Sequence, residues 1–161
     1  MSEKEYMLKS NYEKLMAELE KLKKNDRPEV IKRIAEARSF GDLSENAEYD
    51  AAREHQSFIE GRILQLEDRL AKANVIDPGD LPKDKIVFGS KVLVYDLDRE
   101  SEMEYILLGR DADYNRKEIS VYSPIGRGLL GKRVGDTVEI KAPARIVRYE
   151  IREINPAYQA D

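Results

Sequence analysis

The sequence predicts an α+β protein in two parts. The first is an N-terminal antiparallel coiled-coil helical hairpin, and the second a small C-terminal, mainly antiparallel sheet domain with one short helix. Three observations lead there. An apolar stripe recurs at heptad spacing on both sides of Asp42. The two stripes are mirror images of one another, as the arms of a hairpin must be. Beyond a segment rich in proline and glycine near Pro78, helical periodicity gives way to strict alternation.

The first arm carries Leu8, Tyr12, Leu15, Leu19 and Leu22, in alternating steps of four and three. The second carries Ala52, Ile59, Ile63, Leu66, Leu70 and Ala73. Both are a/d seams of a coiled coil. Facing residues of an antiparallel pair have position numbers with a constant total. Leu15 with Leu70, Leu19 with Leu66 and Leu22 with Ile63 share one. The same total puts the fold-back between Asp42 and Leu43. Arms of about 30 residues would extend roughly 45 Å at 1.5 Å per residue.

One step breaks the pattern. From Leu22 to Val30 is eight residues where a heptad has seven, and Asn25-Asp26-Arg27-Pro28 falls inside. Proline removes a helix donor and clashes with the preceding turn, so a kink or break is expected here. The four-four step also reads as a stutter that relaxes the supercoil. The seam resumes at Val30, Ile34 and Ala37, so the first arm is expected as two helical pieces, the second bearing the tip.

The segment from Asn74 to Pro82 holds two prolines and a glycine and is expected to part the domains: hairpin 1–77, linker 78–82, globular domain 83–161. In the globular part, 91–95, 103–108, 118–122 and 137–140 read as strands. Ser123 caps a short helix with Pro124 at its first position, and Gly131 stops it. In the last strand Val147, Tyr149 and Ile151 alternate with Arg148, Glu150 and Arg152, one face for a core and one for water.

Composition narrows the function classes. The chain has 161 residues, 37% of them charged, with net charge −4. That balance gives no overall basic bias toward nucleic acid. Cysteine is absent and histidine occurs once, at His55. This excludes disulfides, thiolate metal sites and His-rich centres. No apolar run has transmembrane length, and a cytoplasmic location is expected.

Chemistry concentrates at the pivot. Asp42 and Glu45 are three apart, beside the flexible Gly41. Two readings stand. Asp42 as N-cap with Glu45 at the third position is a capping-box pattern, and acidic residues in a first turn complement the helix dipole. Alternatively the pair ligates a hard cation such as Mg²⁺, which takes about six oxygens. Two carboxylates are too few for an autonomous site and enough to complete one that a partner supplies. One oxygen can cap while the other faces out, so the readings are compatible.

The run Gly41-Asp42-Leu43-Ser44-Glu45-Asn46-Ala47-Glu48-Tyr49, followed by Ala51-Ala52-Arg53-Glu54, resembles the signature of bacterial Gre transcript-cleavage factors. Glu60-Gly61-Arg62-Ile63 and the stretch Ser123-Pro124-Ile125-Gly126-Arg127-Gly128-Leu129-Leu130-Gly131 match as well. The resemblance implies a C-terminal domain similar to FKBP-type prolyl isomerases. It implies docking on bacterial RNA polymerase, with the hairpin in the secondary channel and the nascent RNA 3′ end as the target. Asp42 and Glu45 would then assist the Mg²⁺ of the polymerase active centre, with Ser44 and Asn46 supporting the tip. The factor itself would be no enzyme and hold no cofactor of its own. The resemblance also places a docking loop near Ser123, Pro124, Ile125 and Arg127. The mixed arm charges look like the GreA type, and the Asp-Leu-Ser-Glu tip argues against a related polymerase-inhibiting subset.

Other residues carry paired readings. Arg38 and Arg53 are candidate nucleic-acid contacts or solvated arginines. Tyr49 is a candidate for stacking on a base or for packing near the tip. Lys21, Lys23, Lys24, Arg27, Lys32 and Arg33 form a basic stretch that either guides RNA or is a solvated face, and interspersed acids favour the latter. His55 is expected beside the seam. A prolyl isomerase or chaperone, and a purely structural coiled-coil adapter, are the competing classes.

Overall fold

The computed structural model describes residues 4–39 and 46–158. The chain divides into two units, one of Met1–Glu3 with Ser10–Ala73 and one of Lys4–Lys9 with Asn74–Asp161.

In the helical unit, α1 (Lys9–Lys21) runs through a π-helical turn (Leu22–Asp26) into α2 (Arg27–Ser39), and α3 (Asn46–Ala71) returns. The second arm is one uninterrupted helix of 26 residues, about 39 Å long. Seam positions are where burial concentrates: Leu15, Leu22, Val30 and Ile34 on the first arm, Ala52, Ile59, Ile63 and Leu66 on the second. Tyr12, Leu19, Ala37 and Leu70 are half-buried. Ion pairs flank the seam. Arg62 donates to Glu18 at 2.7 and 3.0 Å, and Lys23 meets Glu67 at 3.3 Å. Arg27 forks onto both oxygens of Glu60 at 2.8 Å.

One expectation for the first arm is corrected and one is refined. Leu8 does not join the seam, because it ends the strand β1 (Glu5–Leu8). The two expected helical pieces are present as α1 and α2, joined near Pro28 by a π turn and not parted by a gap. The Arg27 N–H bonds to the Leu22 carbonyl, five residues back. This wider turn takes up the extra residue between Leu22 and Val30 and returns both to the seam. It also rearranges the carbonyls that Pro28 has no N–H to meet. Deleting Asn25 together with Pro28→Ala is therefore expected to give a plain α-helix with a seven-residue step. Deleting Asn25 alone is expected to lower stability by about 3 kcal/mol, since it leaves proline inside an α-helix. Thermal melts of the three chains followed by circular dichroism check this.

The second unit holds a two-stranded sheet of β1 with β2 (Ala73–Ile76) and a five-stranded sheet. The larger sheet comprises β3 (Ser90–Asp96), β4 (Ser101–Leu108), β5 (Glu118–Ser120), β6 (Thr137–Lys141) and β7 (Ile146–Pro156), in the order β5-β4-β3-β7-β6. The short helix α4 (Pro124–Leu129) lies between β5 and β6 in sequence. The expected antiparallel pairing holds for β3–β4, β3–β7 and β6–β7. Strands β4 and β5 are parallel, so the sheet is mixed. The segment between them crosses back through a 3₁₀ turn at Tyr114–Arg116, which a hairpin would not need.

The alternation of β7 continues through Ile151 and then slips. Leu93 faces Glu153 while Val94 faces Ile151, so Arg152 bulges and Ile154 regains the core. Val92, Val94, Leu107, Leu129, Tyr149 and Ile151 lie at its centre. At one end of the sheet Asp96, fully buried, accepts from Arg145 Nη2 at 2.6 Å and from the N–H groups of Asp98 and Arg99 at 3.0 Å. Burial pushes its carboxyl up, but the Arg145 guanidinium and the two backbone donors outweigh this and hold it below the usual range.

The expected boundaries shift at both ends of the hairpin. Residues 4–9 belong with the C-terminal unit, and the chain leaves the helical unit at Ala73, before Asp77. Within 78–82, Pro78–Asp80 forms a 3₁₀ turn capped by Asp77, and Pro78 is buried.

Candidate functional site

The acidic pair falls where two helices end. Helix α2 stops at Ser39, and α3 starts at Asn46. Asp42, Ser44 and Glu45 lie outside the described residues, and Asn46 enters only as the residue that opens α3.

Just behind this segment three side chains converge. Tyr49 sits in the first turn of α3, half-buried, with Arg53 one turn on and Arg38 in the last turn of α2. The Arg38 guanidinium carbon lies 5.7 Å from the centre of the Tyr49 ring and that of Arg53 6.0 Å. Arg53 also donates to the Tyr49 hydroxyl at 3.3 Å. Hydrogen bonding from Arg38 first, and then from Arg53, holds the Tyr49 hydroxyl below the usual tyrosine range. Both guanidinium groups remain exposed. In the structure Tyr49 packs against the two guanidinium groups. The Tyr49–Arg53 spacing of four was legible in the sequence. The contribution of Arg38 was not, because it depends on how the two arms meet.

The basic stretch of the first arm is largely engaged within the chain. Lys23 pairs with Glu67, Lys24 with Glu20 and Arg27 with Glu60. Arg33 lies 3.1 Å from Nδ1 of the exposed His55. These four basic side chains thus have partners within the chain.

In the C-terminal unit, Ser123 caps α4 by accepting from the Gly126 N–H at 3.1 Å, while its own hydroxyl donates to the Ser120 carbonyl at 2.6 Å. Pro124 occupies the first turn of the helix, as expected. Ser123, Pro124 and Ile125 are half-buried and Arg127 is exposed. Tyr122 before the helix is 58% exposed, and Val134 after it 53%. Exposed apolar side chains thus stand on either side of α4 in sequence. Sequence reasoning passed over Tyr122 because it placed that residue inside a strand, and β5 ends at Ser120.

Among the described residues no group of three or more His, Cys, Asp or Glu side chains is arranged to hold a metal ion. Nor is any helix of those residues long and apolar enough to cross a membrane.

Comparison with known proteins covers both units. Residues 5–75 match the family model described as transcription elongation factor, N-terminal. Residues 81–156 match that described as transcription elongation factor, GreA/GreB, C-term. Among curated proteins, the chain is 54% identical to transcription elongation factor GreA of Thermodesulfovibrio yellowstonii, spanning 96% of this chain and 99% of that one. It is 51% identical to GreA of Syntrophotalea carbinolica, spanning 98% and 99%. Among solved structures, GreA factor homolog 1 (Gfh1) of Thermus thermophilus is 28% identical with a TM-score of 0.45, over 94% of this chain and 99% of that one.

Proposed function

This chain belongs to the GreA/GreB family of transcription elongation factors, and from that premise we propose how its two units share the work. The factor docks on bacterial RNA polymerase through the α4 region of its C-terminal unit. It carries the acidic tip of the hairpin into the polymerase's secondary channel, where the tip promotes the polymerase's own cleavage of backtracked nascent RNA. The observation that supports this reading is the place of Asp42 and Glu45. In sequence they fall between the end of α2 and the start of α3, two helices that pack against each other.

The fit of the tip to Mg²⁺ rests on the chemistry of its donors. Two carboxylates are hard oxygen ligands of the right kind, and they are too few to build an octahedral shell. No described cluster adds to them. Asp42 and Glu45 would therefore complete the shell of an ion that the polymerase itself holds. When bound, that ion polarises a phosphoryl oxygen and activates a water. Ser44 and Asn46 support the tip, and Arg38 and Arg53 offer guanidinium donors to RNA phosphates. The factor is not itself a catalyst, and the reaction stays with the polymerase.

Added to a stalled, backtracked elongation complex with labelled RNA, the full chain is expected to shorten the transcript and restore a 3′ end that can be extended. Slowed elongation without cleavage would replace this reading with that of an inhibitor. By itself the chain is expected to show no micromolar Mg²⁺ site by calorimetry and no RNA hydrolysis. Either activity in isolation would overturn the partner-completed site.

A further inference from the structure

We propose that Tyr49 is a positioning residue of the tip: by holding Arg38 of α2 and Arg53 of α3 on one ring, it ties the two arms together at the base of the segment that carries Asp42 and Glu45. The inference rests on the tip reading above. Two independent observations carry it. The first is the geometry, with one guanidinium from each arm placed 5.7 and 6.0 Å from the same ring and the hydroxyl accepting from Arg53 at 3.3 Å.

The second is what the seam lacks there. Its last large buried side chain before the tip is Ile34 on α2. Beyond it the described seam offers Ala37, half-buried, and Ala52 on the facing arm, with Ala51 exposed beside it. Alanines bury little apolar area, so among the described residues hydrophobic packing past Ile34 is thin. The tyrosine fills this gap with a large planar group that both arms reach. A tip that lends ligands to another protein's metal needs them held to within a fraction of an ångström, and a tie at this point limits how far the end of α2 and the start of α3 can part.

The test uses the absence of cysteine from the chain. Spin labels on Ser39→Cys and Glu48→Cys in the full-length protein report the distance between the arms by pulsed dipolar spectroscopy. The parent pair is expected to give one narrow distribution. Tyr49→Leu is expected to broaden it at least about twofold, and Arg38→Met to do the same, while Tyr49→Phe, which keeps the ring, stays closer to the parent. On backtracked complexes, unlabelled Tyr49→Leu is expected to lower the maximal cleavage rate about tenfold, the scale of a small misplacement of reacting groups. The factor concentration for half-maximal effect should stay within about twofold of the parent, because docking lies elsewhere. A parent-like distribution or a parent-like maximal rate for Tyr49→Leu overturns the proposal, and the second would leave the arginines acting on RNA without the tyrosine. Asp42→Ala separates the two levels. If it cleaves like the parent, the tip reading fails, while the distance measurement still decides whether Tyr49 ties the arms.

Discussion

Asp42→Ala and Glu45→Ala will each lower stimulated cleavage of backtracked RNA at least about tenfold, while binding to polymerase changes little. A carboxylate that completes a metal shell acts only where charge develops in the reaction, so its loss falls on the rate. A factor of ten corresponds to about 1.4 kcal/mol of transition-state stabilisation, a modest demand on one ligand. With docking through the α4 region, as proposed, binding draws on a separate surface, so the concentration for half-maximal effect should hold. The measurement is single-round cleavage of labelled RNA over a range of factor concentrations. The alternative is plain: if both residues serve only as helix cap and dipole partner, each substitution costs the hairpin about 1 kcal/mol and cleavage is unchanged.

Gly126→Ala will cost the C-terminal unit at least about 3 kcal/mol, the upper range for overpacking. A Cβ at this position would stand 2.1 Å from the Ser120 carbonyl oxygen and 2.9 Å from its carbon. Both are backbone atoms of β5, which is held by its pairing with β4, so neither can turn aside as a side chain would. Helix α4 must therefore lift off the sheet, and the cap that Ser123 makes to the Gly126 N–H goes with it. Gly128 is a milder case, because its Cβ would meet the Ile140 side chain at 2.6 Å, which can change rotamer. We expect the melting temperature of the unit to fall by more than 10 °C for Gly126→Ala, on the scale of about 4–8 °C per kcal/mol for a domain of this size. Polymerase binding should weaken in parallel, since Tyr122 and Arg127 lose their support. Calorimetry and a binding competition against the parent chain check the two effects. Unchanged binding by a destabilised variant would move the docking surface away from α4.

Much of this was legible in the residues. The heptad stripes and their mirror relation identified both helical arms, α2 ending at Ser39 and α3 beginning at Asn46 on either side of the expected fold-back. Ser123-Pro124 announced α4, and alternation marked β6, β7 and the core face of β7. What escaped were features that depend on a neighbour distant in sequence. Leu8 fits a heptad by spacing, but it ends a strand that pairs with β2, and pairing outweighs periodicity over four residues. The parallel run of β4 and β5 is equally silent, because strand propensity does not encode direction.

Sequence by itself determined the class of fold and the family, because each is written in local pattern: a period and a run of matched residues. Tertiary structure decided three other things. It joined the two pieces of the first arm by a π turn at Leu22–Asp26, just ahead of Pro28, since closing the seam at both Leu22 and Val30 requires a helix that carries one extra residue. It assigned residues 4–9 to the C-terminal unit. And it brought Arg38 to Tyr49, a contact between arms that exists only once their seams have met, because where a side chain ends is set by the backbone that packs against its own.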